Sequence, residues 1–181
     1  ARGNLINDWA KNLKNIGFSF LWNSNMVTTL QLQEMIRCVN DQYLQQWHSE
    51  LRSLSKMETY RIFKTHFEFE KYIDVVRNVK HRFSLTRFRC SAHKLFIEEG
   101  RYRNIAREDR ICTKCNMNCQ ETEYHFLLVC PFYKDIRSNC LPKYYCHWPS
   151  IHKFKSLLCC TQKSVINKLA KFVYQATSAR G

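Results

Sequence analysis

Residues 109–137, DRICTKCNMNCQETEYHFLLVCPFYKDIR, carry four cysteines and one histidine in under thirty positions. Cys112 and Cys115 form a C-x2-C pair, and His125 and Cys130 follow as H-x4-C. A tetrahedral zinc takes four N or S ligands, and a C-x2-C turn lets two thiolates hold one ion from a single tight loop. The second pair needs a helix end. TEYHFLLVC reads as a short helix with Thr122 as N-cap, yet residues five apart do not share one helix face. Pro131 forces the residue before it out of regular helix, which lets Cys130 reach inward. Cys112, Cys115, His125 and Cys130 are therefore the expected ligands of one Zn2+. Cys119 competes with them: it can replace Cys115 or His125, or be a small residue of the knuckle loop. With four protein ligands no position is left for water, so the expected site is structural. Three thiolates and an imidazole leave the centre at about −1, so any pull on phosphate must come from surrounding cations.

Outward from this stretch the patterns are helical. Only 4 Gly and 3 Pro occur in 181 residues, little turn chemistry for an all-β chain, while 45% hydrophobic residues can build a core. Leu5, Ile6, Trp9, Leu13 and Ile16 fall at helical spacing within residues 4–22, with Gly17 as a stop. A longer pattern runs from Thr28 or Thr29 to Leu54 through Leu32, Ile36, Val39, Tyr43, Trp47 and Leu51, a stripe expected to lie in the core. Residues 56–76 are ambiguous, strand-like in YRIFKT and helical in EFEKYIDVV. Residues 78–99 read as a helix that can break near Ser91, with Gly100 ending it. PFYKDIRSNC starts a helix with Pro131 in its first turn, and residues 151–160 and 164–178 make two closing helices. The expected fold is mostly α, with a small inserted Cys-Cys-His-Cys zinc knuckle. It divides into an N-terminal helical part (1–77), a basic helix and Arg-rich approach (78–110), the knuckle and following helix (111–140) and C-terminal helices (141–181), all in one compact unit.

The ten cysteines fit a reducing, intracellular compartment better than a disulfide scaffold. Cys140, Cys146, His147, His152, Cys159 and Cys160 fit no ligand spacing, and free cysteines are commonly small buried hydrophobes. No stretch approaches the roughly 18 apolar residues of a transmembrane helix, and no secretory leader is seen, so no membrane partner is expected. The chain opens on Ala1 rather than Met and is expected to be a piece of a longer protein.

The formal charge is +14, which favours a polyanionic partner. Ten Lys or Arg lie between Arg77 and Arg110, opposed by Glu98, Glu99, Glu108 and Asp109 and interleaved with Phe83, Phe88 and Tyr102. Arg82, Arg87, Arg89, Lys94, Arg101, Arg103, Arg107 and Arg110 are the candidate nucleic-acid contacts, since guanidinium binds phosphate bidentately and stacks on bases. The competing reading is a solvated helix face with internal ion pairs, such as Arg110 with Asp109 or Glu108. Catalysis has little support. There is no Asp-Asp pair for two-metal polymerisation and no nuclease order of Pro-Asp with Glu-x-Lys. Glu68, Glu70 and Asp74 cluster, but FEFE reads as an amphipathic surface.

The run LTRFRCSAHKLFIEEGRYRNIAREDRICTKC (85–115), followed by ETEYHFLLVCPFYKDIR (121–137), resembles the zinc-binding C-terminal region of reverse transcriptases from non-LTR (LINE-type) retrotransposons. The likeness is closest over residues 82–137 and extends weakly through YLQQWHSEL, YRIFKTHFEFEKYI and LPKYY. Cys90 and Cys119 depart from the family pattern. The resemblance implies a module downstream of a polymerase domain in the same parent chain. In such a module the knuckle and its basic surroundings hold element RNA or target DNA, in the nucleus, without polymerising. The ligands carried over by position are again Cys112, Cys115, His125 and Cys130. A structural scaffold packed on the polymerase core is the alternative, and a nuclease the remoter one.

Overall fold

Phe126, the residue after His125, is fully buried and meets Phe88, Tyr133 and Phe172 at ring-centroid distances of 5.6, 4.7 and 5.7 Å. This aromatic cluster is the centre of the larger of two compact units in the computed structural model, which describes residues 5–24 and 26–181. The units span residues 1–53 and 54–181, in place of the one unit expected. Residue 4, where the first helix was expected to begin, lies outside the described residues.

The first unit holds α1 (Leu5–Asn15), a 3-10 turn (Ser19–Asn23) and α2 (Thr29–Ser53). Gly17 stops α1 as expected, at φ +79°, a left-handed conformation that costs glycine little. Most of the apolar stripe of α2 is not in a core. Leu51 is buried, but Leu32, Ile36, Val39 and Tyr43 are exposed. Helical periodicity marks a face that can be covered; one short helix in the same unit leaves little to cover it with.

The second unit contains α3 (Glu58–Phe63), α4 (Tyr72–Val75), α5 (Val79–Arg89), α6 (Phe96–Tyr102), α7 (Lys134–Cys140), α8 (Lys143–Cys146), α9 (Ile151–Leu158) and α10 (Lys163–Arg180). The long α10 packs on α5, α7 and α4, burying Val165, Ile166, Leu169, Phe172, Val173 and Ala176. The unit is thus mostly α with a small Cys/His insertion. Among the described residues the extended pairing is a single bridge, Ile111 with Gln120.

Three local expectations are corrected. The strand-like YRIFKT is largely helical in α3, where Tyr60 and Phe63 stack edge to face at 5.3 Å and face the core. The break expected near Ser91 is present, with Ser91 at φ 49°, but it ends α5, and Gly100 lies inside α6 instead of ending it. Gly100 is needed for closeness. A Cβ there would sit 2.7 Å from Cγ of Arg110, whose side chain crosses the helix at that point. In the FEFE run, Phe67 and Phe69 are exposed while Glu70 turns inward to Arg89 at 2.7 Å and Lys64 at 3.0 Å. No helix among the described residues is long and apolar enough to cross a membrane.

Candidate metal centre

Two short pieces of backbone deliver the ligands. In the first, the chain doubles back on itself: Cys112 N donates to Cys119 O and Glu121 N to Arg110 O, both at 2.9 Å. The loop between them turns through Asn118 at φ 48°, a conformation asparagine tolerates better than most residues. This places Cys112 at the mouth of the loop and Cys115 within it. The second piece is His125–Val129, which winds as π-helix, with Cys130 N donating to His125 O at 2.7 Å. Thr122 helps to start it, its hydroxyl accepting from His125 N at 3.1 Å. A turn that closes on the fifth residue brings residues five apart onto one side, and this answers the objection to an H-x4-C pair. Pro131 contributes as expected: Cys130 adopts φ −53°, ψ 122°, the extended geometry demanded before proline.

The Sγ atoms of Cys112, Cys115 and Cys130 and a ring nitrogen of His125 all lie within 4.8 Å of one another, and the group can hold a metal ion. Cys112 Sγ is 4.0 Å from Cys130 Sγ, and Cys115 Sγ is 3.4 Å from His125 Nε2. Sulfurs about 2.3 Å and nitrogen about 2.05 Å from a tetrahedral ion imply edges of about 3.8 Å (S–S) and 3.6 Å (S–N). These two separations come within about 0.2 Å of such edges, and no donor pair is further apart than 4.8 Å. Cys119 lies outside the group, with its Sγ 3.2 Å from Nδ1, the other nitrogen of the His125 ring. It is placed to orient the imidazole through Nδ1 rather than to replace a ligand.

Burial pushes the Cys112 thiol up to about 12, with the Glu121 carboxylate and Cys130 adding to the effect, and burial also raises Cys130. Without a cation these thiols stay protonated. Burial lowers His125, which leaves a neutral ring with a free lone pair. Such a site is quiet until a metal replaces the thiol protons.

The surroundings fix the ligands. Glu121 is fully buried beside Cys112, accepts from Phe96 N at 2.7 Å, and is gripped by both terminal nitrogens of Arg180 near the end of α10. Glu123 takes Thr59, Ser91 and His93 at 2.9, 3.1 and 3.0 Å. Burial alone would raise Glu123, but the hydrogen bond and charge of His93 hold it below the usual carboxylate range. Arg137 sends Nε to Leu127 O at 2.8 Å and Nη2 to Cys130 O at 2.8 Å and Phe126 O at 3.3 Å. In π winding Phe126 O would look to residue 131, a proline with no N–H, so Arg137 supplies the missing donor. Glu121, Glu123 and Arg137 lie within the run that carries the family resemblance, but their spacing does not reveal these partners, and Arg180 carries no motif.

No second cluster forms among the described residues. The thiols of Cys140, Cys146 and Cys159 instead meet oxygen atoms of Gln175, Arg137 and Phe63.

The eight candidate nucleic-acid contacts separate into two sets. Arg89 is buried, bonded to Leu158 O at 2.8 Å and Glu70, with its guanidinium 4.2 Å from the Phe63 ring and 5.0 Å from that of Tyr72. It pins α5 to α9 and is closed to solvent. Arg82 donates to Ile73 O and Val76 O at the end of α4. Arg110 donates to Ile97 O at 2.8 Å and Ile105 O at 2.9 Å, not to the neighbouring acids. The others reach the surface. Arg101, Arg103 and Arg107 pair with Glu98, Glu99 and Glu58, while Arg87 and Lys94 are exposed, Arg87 with its guanidinium 5.7 Å from the Phe83 ring.

No protein-family model, curated protein or solved structure matches this chain.

Proposed function

We propose that this chain is a zinc-stapled nucleic-acid-binding module, the tail of a retrotransposon reverse transcriptase that acts in the nucleus beside a polymerase domain of the same parent protein. The observation that carries it is a closed Cys3His centre set into a chain of net charge +14. Three thiolates and an imidazole at tetrahedral spacing suit zinc better than magnesium or calcium, which take oxygen ligands. With every position filled by protein, zinc supplies folding energy by tying the residue 112–119 loop to the π turn. The metal leaves about −1 behind, so binding to phosphate falls to the arginines and lysines outside it. Of the eight candidates, Arg87, Lys94, Arg103 and Arg107 are exposed and Arg101 is half-buried. The origin of the module rests on the resemblance of residues 82–137 to the LINE-type family.

A second reading has its own observation. Arg101, Arg103 and Arg107 each face a glutamate, as expected if the charge serves only a scaffold that packs on the polymerase. Salt separates the two. Anisotropy of labelled single-stranded RNA and duplex DNA with the zinc-loaded chain should show affinity falling steeply with salt, at about 0.7 to 0.9 log units per log unit for each phosphate neutralised. No binding at low salt, or binding indifferent to salt, would leave the scaffold.

A further inference from the structure

A cleft of about 290 Å³ opens between α5, the residue 93–95 link and α10, at the lower end of the ~300–1,000 Å³ typical of ligand sites. Its floor is Phe88, Leu95 and Phe126, all buried, and the two phenylalanine rings are those that pack together at 5.6 Å in the core. Its rim carries Arg87, Lys94 and Arg180 on different sides, and no Asp or Glu side chain lines it. Arg180 is held by Glu121, but Arg87 and Lys94 are exposed and have no carboxylate among the cleft-lining side chains. Phe83 stands 61% exposed at the mouth, its ring 5.7 Å from the Arg87 guanidinium.

An apolar floor, an exposed aromatic face and a rim of cations are the features with which proteins hold unpaired nucleotides: the base stacks, and the phosphates on either side meet Lys or Arg. A duplex cannot use such a cleft, because its bases are stacked on each other. We infer that this cleft receives one unpaired base of a single-stranded nucleic acid, stacked on Phe83, with the flanking phosphates on Arg87 and Lys94. The inference rests on the nucleic-acid reading above and narrows it to a strand with unpaired bases. Ribose and deoxyribose strands share this chemistry.

The test titrates the full zinc-loaded chain with a labelled single-stranded RNA, the same sequence as DNA, and its duplex, at one fixed salt concentration. Two variants are compared with the parent: Phe83→Ala, which removes the exposed ring, and Ser84→Trp, which fills the cleft. Zinc retention and melting temperature report that each variant is folded, and Phe83→Ala, altering an exposed residue, keeps the test valid if Ser84→Trp misfolds. Loss of one stacked base should weaken single-strand binding by about tenfold while duplex binding stays within about twofold. The RNA and DNA arms then tell which sugar is preferred. Equal losses for single strand and duplex would make these residues mere backbone contacts and overturn the inference. So would unchanged affinities, which would return the cleft to a protein segment as occupant. If the parent chain binds none of the three probes, the nucleic-acid reading itself fails.

Discussion

Replacing Arg137 by Met tests how the π turn that carries His125 and Cys130 is held. The guanidinium serves three carbonyls, those of Phe126, Leu127 and Cys130, and is itself buried. Cys130 O keeps a second donor, Tyr133 N at 3.3 Å, so the substitution most affects the carbonyls of Phe126 and Leu127. A buried acceptor left unmet costs about 1–3 kcal/mol, giving a loss of about 2–6 kcal/mol. Methionine fills most of the volume and relieves the desolvation that lowers the Arg137 pKa, which brings the expected net loss to about 3 kcal/mol. Against a total of about 5–15 kcal/mol this is a large fraction. At about 3–5 °C per kcal/mol for a unit of this size, melting should fall by about 10 °C. Circular dichroism would follow the helices, and zinc release to a coloured chelator would report on the second unit alone. Arg137→Lys should fall between the two, because one ammonium cannot reach all three carbonyls in the fork geometry. A Met variant that melts within about 1 kcal/mol of the parent would show that these carbonyls are satisfied otherwise, and the reasoning would fail.

Cys119→Ser should retain one equivalent of zinc, since Cys119 faces Nδ1 from outside the ligand group, whereas Cys112→Ser should lose it; metal analysis after dialysis decides, and loss in both variants would make Cys119 a ligand. The metal should also come off as pH falls. Burial raises Cys112 and Cys130 in the metal-free fold, so binding near neutrality expels a proton from each, and protons compete more strongly as they become abundant. His125, lowered by burial, joins that competition only at more acidic pH. The apparent zinc affinity should therefore drop by at least about a hundredfold per pH unit below neutral, measured against a competing chelator, and a flat profile would contradict the buried-thiol picture.

The Cys/His cluster was legible because its halves are local. C-x2-C is one turn, and H-x4-C announces a helix end when proline follows. The π winding that joins His125 to Cys130 was not readable, because HFLLV is equally good α-helix by composition and the choice depends on what Arg137 does ten residues away. The bounds of α2 were close to expectation, since 25 residues of unbroken periodicity leave little freedom. Its burial was not, because a pattern shows an apolar face but cannot show what covers it. Arg89 read as one more surface cation of a basic run. Its partners are Glu70, nineteen residues back, and Leu158, sixty-nine ahead, and no local pattern couples them. Gly100 misled for a similar reason: near a helix end glycine suggests a stop, while here it makes room for Arg110.

The most direct measurement is X-ray absorption at the zinc edge of the purified, zinc-loaded chain. Cys112, Cys115, Cys130 and His125 around one ion require three sulfurs at about 2.3 Å and one nitrogen at about 2.0–2.1 Å, with no water. Four sulfurs would put Cys119 in the place of His125, and a shell of oxygen and nitrogen, or a chain that holds no zinc, would contradict the centre altogether.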